Sequence, residues 1–257
     1  MKQFGLIGRH LQHSFSPAYF ANKFKQEGIH GCAYDLFPLA QIEDFKTLLQ
    51  KDFNLAGLNV TIPYKQAIIP FLDDLSPQAL QIGAVNTIQF VEGKLIGHNT
   101  DVYGFQTSLE KRLSSTQFHS KALVLDIGGA SKAVVYALQE MNISCQYVSR
   151  VSTDNALSYE MLSPELIQKH LIIINTTPLG MSPNIETCPS LPYTAIGQEH
   201  ILFDLVYNPK QTLFMQKGAE QGAKTINGLE MLHLQAEKAW TIWTNNYLLK
   251  TTKNKNV

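Results

Sequence analysis

The chain has 257 residues, 44% of them hydrophobic, and its 21 basic side chains balance its 21 acidic ones, so the formal charge is zero. Proteins that grip a nucleic-acid backbone or an anionic membrane draw affinity from an excess of Lys and Arg, and this chain has no such excess globally. The ordinary apolar fraction, with 16 Gly and 11 Pro, excludes disordered and collagen-like classes and suits one large domain or two sharing a cleft.

The opening residues, MKQFGLIGRHLQHS, lose their apolar character at Arg9 and His10, so they lack the apolar core of a signal peptide. No apolar run approaches the roughly 18 residues of a membrane span; Leu171 to Ile174, for one, is strand-sized. Cys32, Cys145 and Cys188 are odd in number, far apart and without metal-ligand spacing, and they read as thiols of a reducing cytoplasm. The histidines form no HxxxH pair, so no metal site is expected.

Short apolar strands alternate with amphipathic segments from end to end, which is the pattern of an α/β protein with mostly parallel sheets. In chain order, strands are expected at Phe4 to Gly8, Cys32 to Phe37, Leu55 to Val60 and Asn86 to Phe90. A helix running through Tyr19, Phe20 and Phe24 is expected to start at Ser16 as N-cap with Pro17 at its first position, and another to span Ile42 to Leu49. After the polar stretch Ser114 to Gln117, Ala122 to Leu125 reads as a strand, GGASKAVVYAL as a glycine turn opening a helix, and Cys145 to Ser149 as the next strand. This is a βαβ unit of mononucleotide-binding length. Strands follow at Leu171 to Asn175, Ile201 to Leu205 and Lys224 to Ile226. A last helix, Leu229 to Leu248, places Leu232, Ala236, Ala239, Trp240, Trp243 and Tyr247 at helical spacing, as a core face does.

Several segments place chemistry-bearing residues at strand ends. A glycine turn between strand and helix lets backbone N–H groups and the helix dipole meet a pyrophosphate. Here the turn reads Asp126, Ile127, Gly128, Gly129, Ala130, Ser131, with only the middle glycine of G-x-G-x-x-G in place; an ordinary strand-to-helix turn is the alternative. At the end of the next strand stand Ser149 and Arg150. A cation there suits a 2′-phosphate as a carboxylate would suit a ribose diol, unless Arg150 is a solvated surface residue. HSFSP sets Ser14 and Ser16 at a loop-to-helix junction, where two hydroxyls could hold a carboxylate or Ser16 could simply cap its helix. GLNVTIPYK, residues 57 to 65, and GHNTDVYG, residues 97 to 104, place Asn59, Thr61, Lys65, Asn99 and Asp101 at further strand ends, where α/β folds bind ligands, although each segment taken alone is more often a turn than a site.

In this order the segments resemble the shikimate dehydrogenase family: HSFSP at 13–17, GLNVTIPYK at 57–65, GAVNTI at 83–88, GHNTD at 97–101, the glycine turn at 126–131, NTTPLGM at 175–181, DLVYNP at 204–209 and GLEMLHLQ at 228–235. The resemblance implies a two-domain α/β enzyme. Residues 1–100 with 229–257 would form the substrate-binding and catalytic domain, and residues 101–228 a Rossmann-type NADP-binding domain. Family members reduce 3-dehydroshikimate to shikimate with NADPH on the way to chorismate and aromatic amino acids. Carried over by motif, Ser14 and Ser16 would bind the substrate carboxylate, and Thr61, Asn86, Tyr207 and Gln235 the carboxylate or ring hydroxyls. Lys65 and Asp101 would be the catalytic pair. On the cofactor side Gly128, Gly129, Ala130 and Ser131 would take the pyrophosphate, Ser149 and Arg150 the 2′-phosphate end, and Thr176, Met181, Gly228 and Met231 would flank the dinucleotide.

The chemistry suits these residue types independently. Hydride delivery to a ketone leaves a developing alkoxide, which needs a donor and a proton, and a lysine ammonium gives both. The family's implied partners are a small-molecule substrate and NADP(H), with a monomer or homodimer as the working unit and the cytoplasm as its compartment. A NAD-preferring quinate/shikimate dehydrogenase, or a relative that binds nucleotide without turnover, are the alternatives. Two departures from the family pattern concern the cofactor. Asp126 stands where the family usually has glycine, and Ser149 and Asp154 stand where many relatives carry an asparagine and a second basic residue.

Overall fold

The structure is a computed structural model whose described residues are 1–51 and 54–253, with side chains described through residue 245. They divide into two compact units, Met1–Thr100 together with the C-terminal helix from Ala236, and Asp101–Gln235. Both are α/β.

The first unit runs β1 (Lys2–Gly8), α1 (Ser16–Gln26), β2 (Cys32–Pro38), α2 (Asp44–Leu49), β3 (Leu55–Val60), β4 (Asp74–Leu75), α3 (Pro77–Ile82), β5 (Thr87–Val91) and β6 (Lys94–His98). They build one six-stranded sheet in the order β2-β1-β3-β5-β6-β4. β1 lies parallel to β2 and β3, while β5 runs antiparallel to both β3 and β6. This register brings the C-terminal ends of β1, β3 and β6 and the start of β5 to one edge of the sheet. One face packs Phe45, Leu58, Ile68 and Ile88 into a core. The other packs Phe4, Leu6, Phe20 and Tyr34 against Ala236, Ala239 and Trp243 of the final helix, the apolar face anticipated from its spacing. Tyr247 of that face lies outside the described side chains. Trp243 donates its indole N–H to the Ile88 carbonyl at 3.0 Å, satisfying the one polar atom of a buried ring. Gly57 makes room for it, since a Cβ there would collide with the indole.

The second unit runs α4 (Asp101–Glu110), α5 (Ser115–Phe118), β7 (Ala122–Leu125), α6 (Gly129–Glu140), β8 (Cys145–Ser149), β9 (Ala156–Ser158), α7 (Pro164–Gln168), β10 (Ile172–Asn175), β11 (Ile201–Asp204), α8 (Leu213–Glu220), β12 (Lys224–Ile226) and the start of α9 (Leu229–Lys253). Its strands are all parallel, in the order β12-β11-β10-β7-β8-β9. Numbered within the unit, that order is 6-5-4-1-2-3, the doubly wound dinucleotide-binding arrangement, with its switch point between β7 and β10. The central strands β7, β10 and β11 are buried along their whole length, as strands covered on both faces must be. The polar stretch Ser114 to Gln117 opens α5. Ser114 and Gln117 form a reciprocal capping box on α5, satisfying two backbone donors at once.

Candidate active site

The edge of the first sheet collects the polar residues singled out in its half of the chain. Ser14 and Ser16 follow β1, Thr61 and Lys65 follow β3, Asn86 precedes β5, and Thr100 follows β6. Short backbone bonds tie these loops together. The Thr61 amide donates to the Ile7 carbonyl at 2.9 Å, the Val85 amide to the Lys65 carbonyl at 2.7 Å, and the Asn86 amide to the His98 carbonyl at 3.1 Å. Gly8 permits the approach of β1 to Thr61, because a Cβ at Gly8 would stand 2.6 Å from the Thr61 methyl.

One expectation is corrected here. Ser16 is the first helical residue of α1 rather than its N-cap; Phe15 holds the cap position and no side chain caps the helix. Pro17 is therefore the second helical residue rather than the first, still within the first turn, where its missing N–H is tolerated. The buried Ser16 hydroxyl instead hydrogen-bonds Tyr34, and Tyr34 donates to Asn59 Oδ1 at 2.8 Å. Burial holds the Tyr34 phenol far above its usual range, with the Ser16 bond acting weakly in the other direction. Asn59 Nδ2 continues the chain to the Asn86 carbonyl and to Thr87 Oγ1, both at 3.2 Å. Asn86 Oδ1 then accepts from the Thr100 amide at 2.8 Å, and its Nδ2 donates to Thr100 Oγ1 at 3.0 Å. A hydrogen-bonded line thus runs from Ser16 through Tyr34 and Asn59 to Asn86 and Thr100. The sequence reading missed Tyr34 because it sits in an edge strand, and only the fold pairs it with Ser16 and Asn59. Lys65 is half-buried on its loop.

Asp101 comes directly after Thr100 in the chain. It is 6% exposed and lies in the first turn of α4, where a carboxylate is favoured by the helix dipole.

In the second unit β7 leads into the glycine turn and α6. Gly128 is the N-cap of α6 and has no side chain with which to cap it. Fully buried Ser131 braces the turn by donating to the Gly128 carbonyl at 2.7 Å. Asp126 holds a φ of 101°, in the left-handed region that glycine enters freely and an aspartate enters under strain. Its amide is fixed to the Val148 carbonyl at 2.8 Å, which carries the β7–β8 pairing one residue further. Its carboxylate turns towards the glycines: a Cβ built on Gly128 would stand 3.1 Å from Asp126 Oδ2.

Arg150 is exposed immediately after β8, and the Ser149 hydroxyl is engaged by the Val151 carbonyl. Tyr159 senses both neighbours. Burial pushes its phenol up to about 12, the negative charge of Asp126 adds to the rise, and Arg150 opposes it. The end of β10 is tied to the end of β7 by Thr176, whose Oγ1 donates to the Leu125 carbonyl at 2.6 Å. Met181 is exposed beyond Gly180, Tyr207 is half-buried after β11, and Gln235 Nε2 donates to the Leu232 carbonyl at 3.0 Å. Gly228 is packed so closely on the Leu205 carbonyl that no Cβ fits. Buried Met231 presents its carbonyl to Gly104, where a Cβ would come within 2.5 Å.

These residues fit a 2′-phosphorylated dinucleotide. Small residues and uncapped helical N–H groups form a cradle at the switch point, and a guanidinium stands at the end of the neighbouring strand. Asp126 is the one discordant charge.

Comparison with known proteins agrees with the α/β fold. The family model described as the shikimate dehydrogenase substrate binding domain matches residues 6–88. A shikimate dehydrogenase (NADP(+)) of Clostridium beijerinckii is 41% identical over 252 residues, covering 95% of this chain and 92% of the relative. One from Desulforamulus reducens is 35% identical over 260 residues, covering 93% and 89%. The crystal structure of shikimate 5-dehydrogenase from Thermus thermophilus in complex with NADP(H) and shikimate superposes with a TM-score of 0.83 at 31% identity, covering 95% of this chain and 94% of that one. The chain belongs to the shikimate dehydrogenase family.

Proposed function

We propose that this protein is an NADP-dependent shikimate dehydrogenase. It reversibly reduces 3-dehydroshikimate to shikimate in chorismate and aromatic amino acid biosynthesis, in the cytoplasm, as a monomer or homodimer. The observation that carries this reading is the gathering of Ser14, Ser16, Thr61, Lys65 and Asn86 at one edge of the first sheet, in a chain whose relatives bear that activity in their names. Arg150 beside the glycine turn supports the phosphorylated cofactor.

The first unit serves as the substrate-binding and catalytic domain, and the second as the NADP-binding domain. Ser14 and Ser16 hold the substrate carboxylate, and Thr61, Asn86, Tyr207 and Gln235 bind the carboxylate or ring hydroxyls. Gly128, Gly129, Ala130 and Ser131 receive the diphosphate, Ser149 and Arg150 the 2′-phosphate end, and Thr176, Met181, Gly228 and Met231 flank the dinucleotide. NADPH, when bound, supplies the hydride. Lys65, as an ammonium, stabilises the alkoxide that develops on the substrate oxygen and donates a proton to it; in the reverse direction its amine accepts that proton. Asp101 orients Lys65 and the substrate hydroxyl.

Calorimetry with NADPH, followed by addition of 3-dehydroshikimate, tests this reading against a relative that binds nucleotide without turnover. Binding followed by oxidation of NADPH is expected, and binding without oxidation would overturn it.

A further inference from the structure

The strands β10 and β11 both end on polar side chains with no exposure, Asn175 and Asp204. A buried carboxylate must collect donors or give up its charge. Asp204 collects three. Thr212 Oγ1 donates to Oδ2 at 2.5 Å, and Asn175 Nδ2 and the Val206 amide both donate to Oδ1 at 3.0 Å. Burial pushes the Asp204 carboxyl up to about 6, and these three bonds pull in the opposite direction.

Each donor belongs to a loop that the functional reading uses. Asn175 Oδ1 accepts from the Thr177 amide at 3.0 Å and the Thr177 hydroxyl at 2.6 Å, and Thr177 Oγ1 accepts from the Leu179 amide at 3.2 Å, so one amide side chain shapes the turn after β10. Val206 lies next to Tyr207. Thr212 caps α8 through the Met215 amide and also abuts Gly180, where a Cβ would stand 3.3 Å from Thr212 Cβ. The loop carrying Thr176 and Met181 and the loop carrying Tyr207 are therefore anchored to one carboxylate. All three partners are donors, so both oxygens are needed as acceptors; an amide would turn an NH₂ towards one of them.

We propose that Asp204 is a positioning residue: through Asn175, Val206 and Thr212 it holds the loops after β10 and β11 in the conformation that receives cofactor and substrate. This rests on the assignment of Thr176, Met181 and Tyr207 made above. Asp204 itself acts at one remove from the ligands, so its loss falls on binding rather than on the chemical step.

The test is NADPH binding by calorimetry together with steady-state kinetics, for the wild type, Asp204→Asn, Thr212→Val and Thr212→Ser. Asp204→Asn and Thr212→Val are expected to weaken NADPH binding about tenfold and to raise KM for NADP⁺ and shikimate alike, with kcat within about threefold of wild type. Thr212→Ser keeps the hydroxyl and is expected to bind as the wild type does. Wild-type affinities in Asp204→Asn and Thr212→Val, a loss confined to kcat, or a Thr212→Ser variant as weak as Thr212→Val would each overturn the proposal. Should Asp204→Asn fail to fold, the Thr212 pair decides. A wild type that binds NADPH but leaves shikimate unoxidised would refute the functional reading alone, and the binding series would still judge Asp204.

Discussion

Asp126 points its carboxylate at Gly128, with Oδ2 3.1 Å from where a Cβ on that glycine would stand, and it does so from a backbone φ of 101°. Two separate costs meet in one residue. The conformation strains any side chain but glycine, by about 1–3 kcal/mol. The charge lies beside the turn proposed for the cofactor diphosphate, where like charges repel.

Asp126→Gly is therefore expected to raise the thermal midpoint and to lower KM for NADPH and NADH alike, because both cofactors carry the diphosphate. Unfolding scans and steady-state kinetics measure the two effects; an unchanged or raised KM would remove Asp126 from the cofactor site.

Arg150 is expected to act on one cofactor only. Its replacement in Arg150→Leu should raise KM for NADP⁺ by about tenfold or more, the scale of a lost charge-assisted hydrogen bond, and leave KM for NAD⁺ nearly unchanged. Equal effects on the two cofactors would place Arg150 away from the 2′-phosphate.

Lys65→Ala is expected to lower kcat by roughly 10² to 10⁴ with a smaller change in KM, the signature of losing a general acid. A folded variant with near-normal kcat would exclude Lys65 as the proton carrier.

Asp204 sets a pH dependence of stability. Its carboxyl rises from 3.8 to about 6 on folding, chiefly through burial, so the native state holds the proton more tightly than the unfolded chain. The stability this provides is present below pH 3.8 and is lost as pH rises through about 6. At 1.36 kcal/mol per pK unit the change amounts to roughly 3 kcal/mol. The thermal midpoint of the wild type minus that of Asp204→Asn should thus fall between pH 4 and pH 7. A difference that stays level or rises would contradict the shift.

The parts of the molecule legible in the sequence were those with local causes. The strands at Leu55 to Val60, Ala122 to Leu125, Cys145 to Ser149 and Lys224 to Ile226 stand where apolar runs bounded by turn residues put them. The helical spacing of Ala236, Ala239 and Trp243 pointed to their buried face. Ser16 was misread because Ser-Pro is a strong local cap signal, whereas its actual partner, Tyr34, arrives through the parallel pairing of β1 and β2. In the sequence Asp204 stands out only as the first residue of DLVYNP. Nothing local distinguishes a surface aspartate from one that ends a fully covered strand, since burial is set by the helices packed on both faces. The strain at Asp126 is equally tertiary: its positive φ appears only when β7, β8 and α6 are joined at the turn.

The central claim is tested most directly by steady-state oxidation of shikimate and of quinate, each with NADP⁺ and with NAD⁺, by the purified protein. The highest kcat/KM is predicted for shikimate with NADP⁺. A clear preference for quinate with NAD⁺ would contradict the account.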